Sequence, residues 1–337
     1  MSLPRALILG CAGPALTEAE RRFFREAAPW GFILFARNIA DPRQLMRLTA
    51  DLRAAVGRDA PILIDQEGGR VARMGPPHWR AWRPPLVQMG EASPGQAARA
   101  MFLRYRLIAE ELRAVGIDVN CAPIADLARA ETHPILRDRC YGEDVVTVIG
   151  AARAVAEGLA AGGVLPVLKH IPGHGRATLD SHADLPRVEA PLAALRQSDF
   201  AAFRGLADLA LGMTAHIVYP ALDPERPATL SPVAIAAIRG EIGFDGLLMT
   251  DDISMGALAG PIAARGRAAL DAGCDLVLHC NGEMAEMADL AAELGPLAPP
   301  AARRADRAER LRGAVPPADV PALEAELDRL IGRQSHV

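Results

Sequence analysis

The chain is expected to fold as one (β/α)8 barrel, and three observations lead there. Eight short apolar segments of strand length alternate with longer segments of helical patterning. The strand segments are nearly continuously apolar, as in parallel strands covered on both faces. Charged residues and histidines collect just past their C-terminal ends, where barrels of this class carry their sites. A doubly wound sheet is the main alternative, but no Gly-x-Gly-x-x-Gly follows the first segment. A chain of 337 residues suits a single large barrel. Residues 1–295 are read as the barrel and residues 296–337 as a helical extension packed outside it.

Taken in order, residues 6–10 form the first strand. Thr17-Glu18-Ala19-Glu20 then opens a helix with a capping box, in which Thr and Glu satisfy each other's free backbone N–H groups. Residues 31–35 are the second strand, and a helix runs from Asp41-Pro42 to residue 56, with an Asp cap and Pro in the first turn. Residues 61–65 are the third, followed by a polar loop with Gly68-Gly69 and a Pro- and Trp-rich stretch over 76–85. A long helix covers 94–115, the fourth strand 117–122, and a long loop 123–143. A helix over 144–161 leads to the fifth strand, 164–168. Residues 191–206 are helical, and the sixth strand, 209–215, ends at His216. A helix over 232–242 precedes the seventh strand, 246–250, which ends at Asp251. A helix over 261–272 precedes the eighth, 274–278. The tail, rich in Ala, Pro and Arg, is expected to form one or two helices.

Half of the residues are hydrophobic, enough for a large core, although aromatics make up only 4%. A net charge of −4 and the lack of a basic run argue against a general nucleic-acid binder. The N-terminus lacks a signal-peptide pattern, and no apolar run is long enough to span a bilayer. Five cysteines without a CxxC spacing fit buried thiols in a reducing compartment. A cytoplasmic protein without membrane partners is expected.

The chemistry is densest after the fifth strand, in Lys169-His170-Ile171-Pro172-Gly173-His174-Gly175 and Asp180-Ser181-His182. In an extended segment Asp180 and His182 share a face, so the carboxylate can orient the imidazole. Glycines here suit close backbone approach to a ligand. Asp251 stands at the barrel mouth, as a nucleophile or electrostatic stabiliser, or else as a cap or loop salt bridge. Arg139 lies in Arg137-Asp138-Arg139-Cys140-Tyr141-Gly142-Glu143-Asp144, where a solvated ion-pair loop fits as well as a binding site. Asp65-Gln66-Glu67-Gly68-Gly69-Arg70-Val71-Ala72-Arg73 reads as a loop able to wrap a hydroxyl-rich ligand. His216 is a further polar residue at a strand end.

Assembled in order, these segments resemble glycoside hydrolase family 3, specifically its short single-barrel bacterial β-N-acetylhexosaminidases. The matching pieces also include Ile33-Leu34-Phe35 with Arg37-Asn38, Thr250-Asp251-Asp252-Ile253-Ser254-Met255 and Ala272-Gly273-Cys274-Asp275. The block from Lys169-His170 to Asp180-Ser181-His182 is the most specific, since other branches of the family lack it. Ile171 stands where Phe is usual, and Met74 where an aromatic often follows the arginine. Residues 76–85 and the C-terminal tail lie outside the match.

The resemblance implies a retaining exo-glycosidase that removes non-reducing β-linked N-acetylglucosamine. The implied substrates are muropeptide fragments carrying 1,6-anhydro-N-acetylmuramic acid, in cell-wall recycling. By position it implies Asp251 as nucleophile, His182 as general acid/base and Asp180 as its partner. Asp65, Arg73, Arg139, Lys169 and His170 are the implied sugar-binding residues. No metal or organic cofactor is implied, and the expected state is a monomer or weak homodimer.

Three rivals stand beside this reading. In a metal-dependent barrel hydrolase, His170, His174, His182, His216 and Asp251 would be ligands. Pro172-Gly173, however, keeps His170 and His174 from sharing a helical face. A phosphorylase would keep the fold and nucleophile but pass the sugar to phosphate. A non-catalytic sugar-binding barrel leaves the combination of Asp251, Asp180 and His182 without a purpose.

Overall fold

The structure is a computed structural model and describes residues 3–179, 185–313 and 315–332. The first half runs β1 (Arg5–Leu9), α1 (Glu18–Ala27), β2 (Pro29–Leu34), α2 (Pro42–Val56), β3 (Ile62–Ile64), β4 (Gln66–Gly68), β5 (Val71–Ala72), α3 (Pro85–Glu91), α4 (Ala97–Ala114), β6 (Val119–Asn120), α5 (Pro134–Arg137) and α6 (Val145–Ala161). The second half runs β7 (Leu165–Ile171), α7 (Leu192–Gln197), α8 (Asp199–Arg204), β8 (Leu211–Thr214), α9 (Pro232–Ala237), β9 (Leu247–Asp252), α10 (Ile262–Ala272), β10 (Leu276–His279), α11 (Met284–Glu293), α12 (Pro299–Glu309) and α13 (Val320–Leu330). Eight parallel strands close in the order β1-β10-β9-β8-β7-β6-β3-β2, with Leu7 opposite Val277 at the closure. This is the expected barrel.

Local sequence accounts for several helix starts. Thr17 and Glu20 form the capping box of α1, Asp41 caps α2, and Asp144 caps α6. Long-range pairing moved other boundaries. β7 extends to Ile171, so Lys169 and His170 lie within the strand rather than past its end. Ile171 pairs with Thr214, and the Ala125 N–H donates to the Lys169 carbonyl, which keeps the ladder going. β9 takes in Asp251 and Asp252, because Asp252 pairs with Leu278. The loop at Gly68-Gly69 is a hairpin, β4 with β5. Gly68 sits at φ +100°, where an added Cβ would lie 1.8 Å from Arg104 Nη2. The helix expected over 191–206 breaks at Ser198, with φ −122° and ψ −75°, and the one over 232–242 ends in a π-helical turn.

Two cores result. Ile8, Trp30, Ile33, Val167, Met213 and Met249 belong to one that includes Leu297, Ala301, Ala305 and Ala308 of the C-terminal segment. Trp30 Nε1 donates to Glu309 Oε1 at 2.7 Å, tying α12 to this core. The larger core lies where the helices cover the strands. α13 packs on α4 through Leu327 against Leu103 and Leu107, and Arg99 grips Glu326 with two hydrogen bonds. All five cysteines are free and buried. No helix among the described residues is long and apolar enough to cross a membrane.

Candidate active site

A cavity of about 520 Å³ opens at the C-terminal ends of the strands, and Asp65, Arg73, Arg139, Lys169, His170 and Asp251 all line it. Six of the eight residues proposed from sequence are therefore together. Asp180 and His182 lie outside the described residues.

The β3, β5 and β7 side is a buried charge cluster. Lys169, only 2% exposed, donates to Asp65 Oδ1 at 2.9 Å and pairs with Glu67 Oε1 at 2.6 Å. Arg73 Nη2 reaches Asp65 Oδ2 at 3.2 Å. Arg139 grips Glu67 bidentately, Nε to Oε2 at 2.9 Å and Nη2 to Oε1 at 2.8 Å. Burial pushes both carboxyls up, but their cationic neighbours win. Lys169 and Arg73 hold Asp65 far below the usual carboxylate range, and Arg139 and Lys169 bring Glu67 down to about 2. Burial opposes the charge on Lys169, and the two carboxylates outweigh it, so the ammonium stays protonated. The result is a set of fixed donors on the wall of a concave site. The arginines of the Arg137–Asp144 stretch divide: Arg137 makes a partly exposed pair with Glu143 at 2.8 Å, whereas Arg139 belongs to the cavity.

His170 is set by Asp126, whose Oδ2 lies 2.7 Å from its Nδ1. Asp126 Oδ1 accepts from the His174 N–H at 2.6 Å, so one buried carboxylate holds both the strand end and the turn after it. Burial and the nearby His170 lower His174 to about 4 against the pull of Asp126, which makes it a neutral imidazole. At Gly175 the close approach is to the protein itself: an added Cβ would lie 2.1 Å from the Leu127 carbonyl oxygen. That glycine lets the turn pack on the segment after β6.

Across the cavity, Asp251 Oδ1 accepts from the Asp252 N–H at 2.8 Å. Burial raises this carboxyl; His170, that N–H and Lys169 outweigh the burial, so it is held ionised. Asp252 turns to Ser254 and the Cys280 N–H instead. Glu67 and Asp126 were missed from sequence. Glu67 sits inside the Asp65–Arg73 segment, where alternation about Gln66 puts it beside Asp65. Asp126 lies in a long loop, without any sequence signal linking it to His170. Among the described residues no three His, Cys, Asp or Glu side chains converge as a metal site would require.

An ionised carboxylate facing a wall of fixed polar groups, at the mouth of a closed parallel barrel, is the arrangement of a barrel enzyme's cleft. The chain belongs to glycosyl hydrolase family 3: the model of that family's N-terminal domain matches residues 15–313. A beta-hexosaminidase of Stenotrophomonas maltophilia is 40% identical over 290 residues, covering 83% of this chain and 84% of that protein. One from Alkalilimnicola ehrlichii is 39% identical over 281 residues, 82% of this chain and 80% of that protein. NagZ from Neisseria gonorrhoeae, solved with N-trifluoroacetyl-D-glucosamine, superposes with a TM-score of 0.86 at 31% identity and 99% coverage of both chains. A family 3 beta-N-acetylglucosaminidase from Paenibacillus sp. gives 0.83 at 28% identity, with 96% of this chain matching 66% of that longer one.

Proposed function

We propose that the protein is a retaining exo-β-N-acetylglucosaminidase acting through a covalent intermediate on Asp251. The observation that carries this reading is the ionised Asp251 carboxylate on the wall of the cavity that also holds Asp65, Arg73, Arg139, Lys169 and His170. The beta-hexosaminidase relatives support the activity, and the NagZ complex supports an amino-sugar ligand. In this reading those five residues hold the sugar hydroxyls. His182 is the general acid/base and Asp180 keeps its tautomer.

In the first step Asp251 bonds to the anomeric carbon as the bond to the leaving oxygen breaks, and that oxygen takes a proton from the His182 imidazolium. In the second, neutral His182 takes a proton from water, whose oxygen displaces the Asp251 carboxylate with net retention. Carboxylate pairs in retaining enzymes stand roughly 5–5.5 Å apart, a spacing that applies only loosely to an imidazole. An ordinary histidine pKa of about 6.5 makes both ring states accessible. The nucleophile itself assists the change. Its anion favours imidazolium in the free enzyme, and esterification removes that charge.

The finer substrate is a muropeptide fragment taken up in cell-wall recycling, in the cytoplasm. Five cationic side chains (Arg37, Arg70, Arg73, Arg139 and Lys169) line the cavity against the three carboxylates of Asp65, Asp251 and Asp252. Arg70 makes no ion pair or hydrogen bond among the described residues, which suits a substrate carrying carboxylates. Five buried free thiols suit a reducing compartment. Mass spectrometry of an adduct trapped with a 5-fluoro N-acetylglucosaminyl donor is the test. The modification is expected on Asp251; an inverted product, or an adduct elsewhere, sinks the proposal.

A further inference from the structure

His216 is fully buried just past the C-terminal end of β8, away from the cavity lining, and the mechanism above does not use it. Its ring is nevertheless bonded at both nitrogens. Nε2 lies 3.0 Å from the Asp252 carbonyl oxygen, and Nδ1 lies 2.7 Å from Thr229 Oγ1. A carbonyl only accepts, so Nε2 carries a proton. Burial lowers the basicity of the ring more than Asp251 and the Asp252 carbonyl raise it, which leaves the neutral tautomer. Nδ1 then accepts from the Thr229 hydroxyl. That proton therefore does not go to the Ala215 carbonyl, 3.1 Å away, and Thr214 Oγ1 supports Thr229 from 2.8 Å.

We infer that His216 is a positioning residue for the nucleophile: by holding the Asp252 carbonyl, it keeps the Asp252 N–H aimed at Asp251 Oδ1 and leaves Oδ2 for the sugar. Asp252 is held on its other side by the Cys280 and Ser254 N–H groups, at 3.2 Å and 3.1 Å. With carbonyl and side chain both fixed, its own N–H cannot swing away from the carboxylate it serves. A nucleophile misplaced by a fraction of an ångström loses its attack geometry while the hydroxyl-binding wall on the opposite side is unaffected. The inference rests on Asp251 being the nucleophile.

The experiment compares His216→Gln, which places an amide N–H near the Nε2 position, with His216→Leu, which removes it. With an aryl β-N-acetylglucosaminide, the Leu variant is expected to lose roughly 100-fold in kcat, with KM and the inhibition constant of N-acetylglucosamine changed less than about threefold. The Gln variant should recover at least about tenfold of that loss, and inactivation by the 5-fluoro donor should slow in parallel with kcat. Thr229→Val removes the partner of Nδ1 and should lower kcat about tenfold at unchanged KM, which tests the inference even if the Leu variant does not fold. Full activity in the Leu or Val variant overturns it, as does weakened sugar binding equal to the loss in kcat. A wild-type adduct at a residue other than 251 instead removes the nucleophile assignment beneath it.

Discussion

Lys169 shows how single residues divide between what charge demands and what reaction uses. A buried ammonium is tolerated here because Asp65 and Glu67 both touch it, and the same contacts leave three groups rigid on the cavity wall. Arg139 works through a planar fork that lysine lacks. Arg139→Lys should therefore raise KM for an aryl β-N-acetylglucosaminide by roughly tenfold with kcat less affected, as steady-state kinetics would show. Asp251→Ala should lower kcat by roughly 10⁴-fold or more while N-acetylglucosamine binding, followed by calorimetry, persists. His182→Ala should slow substrates with leaving groups of high pKa far more than activated aryl ones; equal losses would remove it from the acid/base role. Asp65, Arg73, Lys169, His170 and Asp251 were legible as polar groups at or near strand ends, whereas Arg139 lies between α5 and α6, in a stretch that reads equally well as an ion-pair loop. Asp126 was not, since its relation to His170 spans forty-four residues and exists only once β6 and β7 lie side by side.

Elements behaved differently according to where their ends are decided. Helices with a side-chain cap, such as α1, α2 and α6, start where the sequence places them, because a cap is a local hydrogen bond. β7 and β9 ran further than their apolar stretches, since a strand end depends on a neighbour's free carbonyls and N–H groups. The break at Ser198 is also non-local: its Oγ lies 3.0 Å from Arg129 Nη2 and 3.1 Å from Arg176 Nη2. Leu297, Ala301, Ala305 and Ala308 of the C-terminal segment share a buried apolar cluster with residues of the barrel strands. Leu297 is 3% exposed in that core. Leu297→Ala should cost about 2–4 kcal/mol, measured by urea unfolding. An unchanged midpoint would mean that this segment contributes little to the fold.

For the molecule as a whole, acid should act in two stages. His174 has its folded value near 4, below its ordinary 6.5, so the unfolded chain takes up this proton first and stability falls as pH drops from 6.5 towards 4. Glu67 is lowered from 4.5 to about 2, so its contribution is complete above 4.5 and is lost as pH falls towards 2. Unfolding midpoints measured across pH 7 to 2 should decline through both windows. His174→Gln should flatten the upper window, and Glu67→Gln the lower. A steep upper window retained in His174→Gln would assign that proton to another group.

The repeat of apolar strands and capped helices, the absence of a dinucleotide fingerprint and the polar strand ends were enough to specify a barrel and most of the groups at its mouth. These are local properties: periodicity, capping and the identity of the residue that follows a strand. Only the tertiary structure decided which charges meet. Closing the barrel placed Glu67 between Arg139 and Lys169, gave His170 a carboxylate from the neighbouring loop, and joined His216 to the backbone that carries Asp251. Such pairings depend on distances across the barrel between residues far apart in the chain, and no spacing along the sequence encodes them.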